Sequence, residues 1–110
     1  MATSLDQVIV AISDPTRRAI IGRLAAGPAR ISDIAAPFPM SLSGVCKHVR
    51  ILERAGLVQR THRGRENTLA LSAEPLREVA NWLSMYERFW NARLDRLETF
   101  FASKKQEKSK

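Results

Sequence analysis

The 110 residues contain a single cysteine, Cys46. No internal disulfide framework can form, and such sparse use of cysteine fits a reducing cytosol. No apolar run approaches the roughly 20 residues that span a bilayer, so no membrane partner is expected. The opening stretch MATSLDQVIVAISDP has no basic residue ahead of its apolar segment, and Asp6 and Asp14 flank that segment. This is not the pattern of a secretory signal, and the expected location is cytoplasmic. Catalytic machinery is also missing from view. Ser, His and Asp form no recognisable cluster, and no glycine-rich phosphate loop occurs, so an enzyme is not expected. Asp95 and Glu98 fit the solvated edge of a helix.

Acidic residues are in short supply, with 11 Asp and Glu against 18 Lys and Arg, for a net charge of +7. That balance favours a polyanionic partner, nucleic acid first. Part of the excess sits in the tail, in Lys104, Lys105, Lys108 and Lys110; without these and Glu107 about +4 remains. At this length one domain is expected, placed over residues 1–103, with 104–110 as a basic, disordered tail.

What is present is strongly patterned. Leu5 to Ile12 reads as a short apolar helix. SDPTRRAIIGRLAAG follows, with Ser13 or Asp14 as N-cap, Pro15 at the first helical position, and a buried side of Ala19, Ile20, Ile21 and Leu24. Gly27-Pro28 ends this helix. Ile31 to Ala36 offers one or two helical turns with Ser32 as the expected cap, and Pro37 and Pro39 break the chain.

MSLSGVCKHVRILERAGLV then reads as a helix with both punctuation marks, Ser41 as N-cap and Gly56 as left-handed C-terminal stop. Val45, Val49 and Leu52 share one face at the spacing of a buried stripe. The opposite face carries Ser43, Lys47, Arg50 and Arg54, with Cys46 on its shoulder. His48 lies near the buried stripe, as a packed or phosphate-bonded residue rather than a base reader. LVQRTHRGRENTLALS reads as a β-hairpin turning at Arg63-Gly64-Arg65. From Glu74 to about Ala102 there is no glycine and the only proline is Pro75, so one long helix of about 40 Å is expected.

Two short helical segments joined by a break make a helix-turn-helix, and the hairpin directly after it makes a winged helix. The second helix of such a pair enters the DNA major groove. Lys47 can reach guanine or a phosphate, and Arg50 and Arg54 suit phosphates. Arg63 and Arg65 suit phosphate or a narrow minor groove. In the last helix Leu76, Val79, Ala80, Leu83, Tyr86, Trp90, Leu94, Leu97 and Phe101 form an apolar stripe that Trp82, Phe89 and Phe100 widen. Such a stripe exceeds what one small core requires and points to a second subunit, with Val8, Ile9 and Ile12 of the first helix contributing. A cavity near Trp82, Tyr86 and Trp90 would suit an apolar ligand, but packing in a core is the expectation there.

SDPTRRAIIGRLAAGPARISDIA, MSLSGVCKHVRILERAGLV and the basic hairpin together closely resemble the ArsR/SmtB family of bacterial repressors. The ending WLSMYERFWNARLDRLETFF resembles the subset without metal sites, the SdpR-like autorepressors. The resemblance covers about Leu5 to Ala102. It implies a mainly α fold, about five helices with a two-stranded wing, dimerising through the long C-terminal helix and the first helix. It also implies a homodimeric repressor of an imperfect palindrome, its own promoter being a possible target. Leu42, Ser43, Cys46 and Lys47 fall where family members contact base edges or adjacent phosphates, Arg50 where they contact phosphate, and Arg63 and Arg65 where the wing meets backbone or minor groove. Cys46 stands where the family usually has Ser, and a thiol is a poor hydrogen-bond donor.

The family's best-known activity is metal sensing, but the only soft ligands here are Cys46, His48 and His62. Closed zinc sites usually need three or four N/S ligands, so no metal and no other cofactor is expected. Two alternatives stay open. One is a redox-responsive repressor acting through Cys46, and the other is a winged-helix protein-interaction module. No residue pattern names a small-molecule inducer.

Overall fold

A computed structural model describes residues 4–108. The chain divides into two compact units, Met1–Val79 and Ala80–Lys110. The elements are α1 (Ser4–Ile12), α2 (Pro15–Ala25), β1 (Ala29–Arg30), α3 (Ile31–Ala35), α4 (Leu42–Arg54), β2 (Val58–Arg63), β3 (Glu66–Leu71), α5 (Glu74–Ser84) and α6 (Glu87–Lys108).

The first unit is a helical core capped by a small sheet. Val8 and Ala11 of α1, Ile20 and Leu24 of α2, Ile34 of α3, and Val45, Val49 and Leu52 of α4 bury together with Leu57, Val58 and Leu69. Ala19 faces outward instead of joining them. Each helix start has a chemical reason. Asp14 caps α2, its carboxylate accepting from the Arg17 backbone N–H at 3.1 Å, and Pro15 occupies the first turn, where its missing N–H costs nothing. Ser41 caps α4 by accepting from the Gly44 N–H at 3.1 Å. The end of α4 is a Schellman motif. Leu57 N–H donates to the Leu52 carbonyl at 2.9 Å and Gly56 N–H to the Glu53 carbonyl at 3.0 Å, with Gly56 at φ +77°. The short helix α3 departs from expectation: Arg30, not Ser32, precedes it, and no side chain caps it.

The hairpin closes through the two-residue turn Gly64-Arg65, with Arg63 opposite Glu66. Gly64 has φ +62° and Arg65 a negative φ, the signs of a type II′ turn. The expected wing of two strands gains a third. β1 pairs antiparallel with β3, Ala29 opposite Leu69 and Arg30 opposite Thr68, in the order β1-β3-β2. Two residues are too few for the alternation that betrays a strand in sequence.

The expected single long helix is two. α5 ends at Ser84 and α6 starts at Glu87. Around the joint the backbone switches to tighter bonds, Met85 N–H to the Trp82 carbonyl at 3.3 Å and Tyr86 N–H to the Leu83 carbonyl at 3.0 Å. The Ser84 hydroxyl donates to the Asn81 carbonyl at 2.6 Å, a local bond that competes with the helical ladder. The expected split into residues 1–103 and a disordered tail from 104 also differs from what is seen. The division falls at Val79/Ala80, and α6 continues to Lys108, because Lys, Gln and Glu are good helix formers and nothing stops the turn. Residues 109–110 lie outside the described residues. Among the described residues no helix is long and apolar enough to cross a membrane.

Candidate nucleic-acid interface

α4 is a two-faced helix held from behind. Val45, Val49 and Leu52 are fully buried, so rotation of the helix about its axis is not free. The outward side then presents Leu42, Ser43, Lys47, Arg50 and Arg54, all exposed, with Cys46 and His48 half-buried at its two edges. The wing tip adds exposed Arg63 and Arg65.

The acids near this surface are neutralised by other arginines. Arg60 of β2 holds Glu53 of α4 at 2.7 Å, a half-buried pair that joins the recognition helix to the wing. Arg30 holds Glu66 at 2.9 Å and Asp33 at 3.3 Å. Lys47, Arg50, Arg63 and Arg65 make no ion pair among the described residues. Four cations without carboxylate partners, on one helix face and one hairpin tip, suit a polyanion.

His48 is placed differently from a simple packed residue. The Arg17 guanidinium lies 3.1 Å from its Nδ1, and an Asp14 carboxylate oxygen lies 3.9 Å away. The Asp14 carboxyl is held below its ordinary value of 3.8, chiefly by the Arg17 backbone N–H, with His48 and the Arg17 charge adding to this against some desolvation. Sequence reasoning missed Arg17 and Arg60 as partners. Arg17 and His48 stand 31 residues apart, and no local pattern joins them.

The residues expected at a subunit contact separate into two groups. Val8 does not belong there: it is 0% exposed, enclosed in its own chain's core. A nine-residue helix shows by periodicity which residues share a face, but not what covers it. Ile12 packs partly against the same core, and the apolar side chain that α1 leaves open is Val10, 60% exposed. In the second unit Leu83, Tyr86, Trp90, Leu94 and Leu97 are all exposed in the single chain, as are Trp82, Phe89, Phe100 and Phe101. The expected core packing of Trp82, Tyr86 and Trp90 is therefore not found; Trp82 and Tyr86 meet edge to face at 5.6 Å. On α6 the apolar residues from Phe89 to Leu94 span an arc of about 140°. Within that arc Arg93 lies over the Phe89 ring at 4.3 Å and Lys104 over Phe100 at 5.0 Å. Among the described residues, no group of three or more His, Cys, Asp or Glu is placed to hold a metal ion.

The fold and this surface define a winged helix-turn-helix protein. A helix-turn-helix domain model matches residues 12–61. The transcriptional repressor SdpR of Bacillus subtilis is 33% identical over 79 residues, 72% of this chain and 88% of SdpR. The HTH-type transcriptional regulator Rv2034 of Mycobacterium tuberculosis is 34% identical over 91 residues, 83% of this chain and 82% of that protein. The crystal structure of an ArsR family transcriptional regulator superposes with a TM-score of 0.76 at 39% identity, covering 81% of this chain and 98% of the other. The chain belongs to the ArsR family of winged-helix, DNA-binding transcriptional regulators. A homodimeric winged helix-turn-helix domain from Mycobacterium bovis, at 22% identity and a TM-score of 0.61, shares the fold.

Proposed function

We propose that this chain is a homodimeric repressor that occupies an inverted-repeat operator and needs no metal to do so. The observation that carries the reading is the surface itself. A recognition helix is locked by a fully buried stripe and presents unpaired Lys47 and Arg50 beside a wing tipped by Arg63 and Arg65. Leu42, Ser43, Cys46 and Lys47 face base edges in this scheme, and Arg50, His48, Arg63 and Arg65 face the backbone.

Dimerisation is supported by the run of large apolar side chains that the second unit leaves exposed between Trp82 and Phe101, a pattern that marks interaction surfaces. Leu83, Tyr86, Trp90, Leu94 and Leu97 would meet their copies there, with Ile12 and Val10 contributing from α1. Two-fold symmetry would set two recognition helices on successive major grooves, about 34 Å apart. Metal-free action is supported by the inventory of one cysteine and two histidines. Repression, as the direction of regulation, is supported by the similarity to the transcriptional repressor SdpR. Selection of binding sites from a random duplex pool tests the whole reading. An inverted repeat with half-sites about one helical turn apart supports it, and enrichment of no motif refutes it.

A further inference from the structure

Arg17, the third residue of α2, is tied to more groups than any other side chain near the recognition helix. Its Nε–H donates to the Ala11 carbonyl at 2.6 Å and an Nη2–H to the Val10 carbonyl at 3.2 Å. These carbonyls belong to the last turn of α1, and the Val10 carbonyl also accepts from the Ser13 N–H at 3.2 Å and the Ser13 hydroxyl at 2.6 Å. Its Nη1 lies 3.1 Å from Nδ1 of His48 on α4. One guanidinium thus joins Ser13 and Arg18 in closing α1 and also reaches the flank of the recognition helix, one residue past Lys47.

The chemistry of that last contact is one-directional. Arginine only donates and does not lose its proton in proteins. The His48 Nδ1 facing it must therefore be the acceptor, and a neutral imidazole that accepts at Nδ1 carries its proton on Nε2. Asp14 does not compete for a proton at Nδ1 in this arrangement. Its nearest oxygen is 3.9 Å away and already accepts the Arg17 backbone N–H. The ring is half-buried, which limits its rotation. The side chain is 23% exposed, and among the described residues its only hydrogen bond is the one at Nδ1.

We propose that Arg17 is a positioning residue for DNA binding. It holds His48 as the Nε2–H tautomer with its ring fixed, so that Nε2–H is offered to a DNA phosphate at the edge of the recognition helix. This rests on the DNA-binding reading above, and it makes His48 a neutral donor, not a cation. Loss of the contact should lower affinity without changing its salt dependence, because a neutral donor releases no counterion.

Two measurements test this. Long-range proton–nitrogen correlation of the free, labelled protein above the pH of histidine titration reads the tautomer of each ring. Exposed His62 serves as the reference within the same chain. His48 is expected wholly as Nε2–H, and the Nδ1–H form is expected to appear in Arg17→Gln. Duplex binding is then compared for His48→Gln, whose amide nitrogen stands near Nε2, and His48→Asn, whose amide stands near Nδ1. Circular dichroism confirms that both fold. His48→Gln is expected within about twofold of the parent. His48→Asn is expected to lose about tenfold, with an unchanged salt slope. An Nδ1–H ring in the parent, or equal losses in the two variants, overturns the proposal while leaving DNA binding standing. A parent chain that binds no duplex overturns the DNA-binding reading and the phosphate contact with it, and the tautomer measurement still decides the role of Arg17.

Discussion

Gly56→Ala and Gly22→Ala add the same methyl group and should move stability in opposite directions. At Gly56 the added Cβ meets only Pro75 Cγ, at 3.5 Å, an ordinary contact, so the change is not one of crowding. Its cost is conformational. Gly56 sits at φ +77° in the Schellman stop of α4, and an L-residue in that left-handed region loses about 1–2 kcal/mol. Gly22 lies inside α2 in right-handed helical geometry, and nothing comes within 4 Å of a Cβ built there. Alanine at such a site gains about 0.5–1 kcal/mol from helix propensity and a less disordered unfolded chain. The two variants should therefore differ by about 1.5–3 kcal/mol. Urea unfolding followed by circular dichroism measures this, at one fixed protein concentration because the proposed dimer would link stability to concentration. A lowered midpoint for Gly56→Ala and a raised one for Gly22→Ala is expected. A Gly56→Ala protein as stable as the parent would refute the left-handed stop, and with it the described junction between recognition helix and wing.

Leu94→Asp combined with Leu97→Asp should convert a dimer to a monomer in sedimentation equilibrium while the first unit keeps its helical signal; a persisting dimer would remove α6 from the interface. Arg63→Ala and Arg65→Ala should each weaken binding to specific and scrambled duplexes alike, and each should reduce the salt slope by about one; an unchanged slope would take that arginine off the phosphates. The Asp14 carboxyl titrates lower folded than unfolded. Its contribution is therefore complete above the ordinary value of 3.8 and is lost as pH falls through the lower folded value. In acid titration of stability, Asp14→Asn should be less stable than the parent at neutral pH, and the gap should close only on the acid side of that value. A gap that closes at higher pH would contradict the assigned cap.

The recognition helix was legible in full because its information is local. Ser41, the Val45–Val49–Leu52 stripe and Gly56 lie within one 16-residue window, and each acts on its near neighbours. The wing was legible for the same reason, through Gly64 and the arginines beside it. What escaped was of two kinds. β1 is two residues long, and the joint at Met85-Tyr86 has no proline or glycine to mark it, so neither leaves a pattern. The ties Arg17–His48 and Arg60–Glu53 join separate elements, and only the folded chain brings their charges together. Val8 shows the same limit on the apolar side: its face was correct, and its neighbour was the chain's own core.

The most direct measurement of the central claim is fluorescence anisotropy of the purified protein on the duplex upstream of its own gene. A scrambled duplex, a salt series and the Lys47→Ala variant run beside it. The expected result is tight binding to the specific duplex that weakens steeply with salt and is lost in Lys47→Ala. Equal, weak binding to both duplexes, with Lys47→Ala indistinguishable from the parent, would contradict operator recognition through this helix.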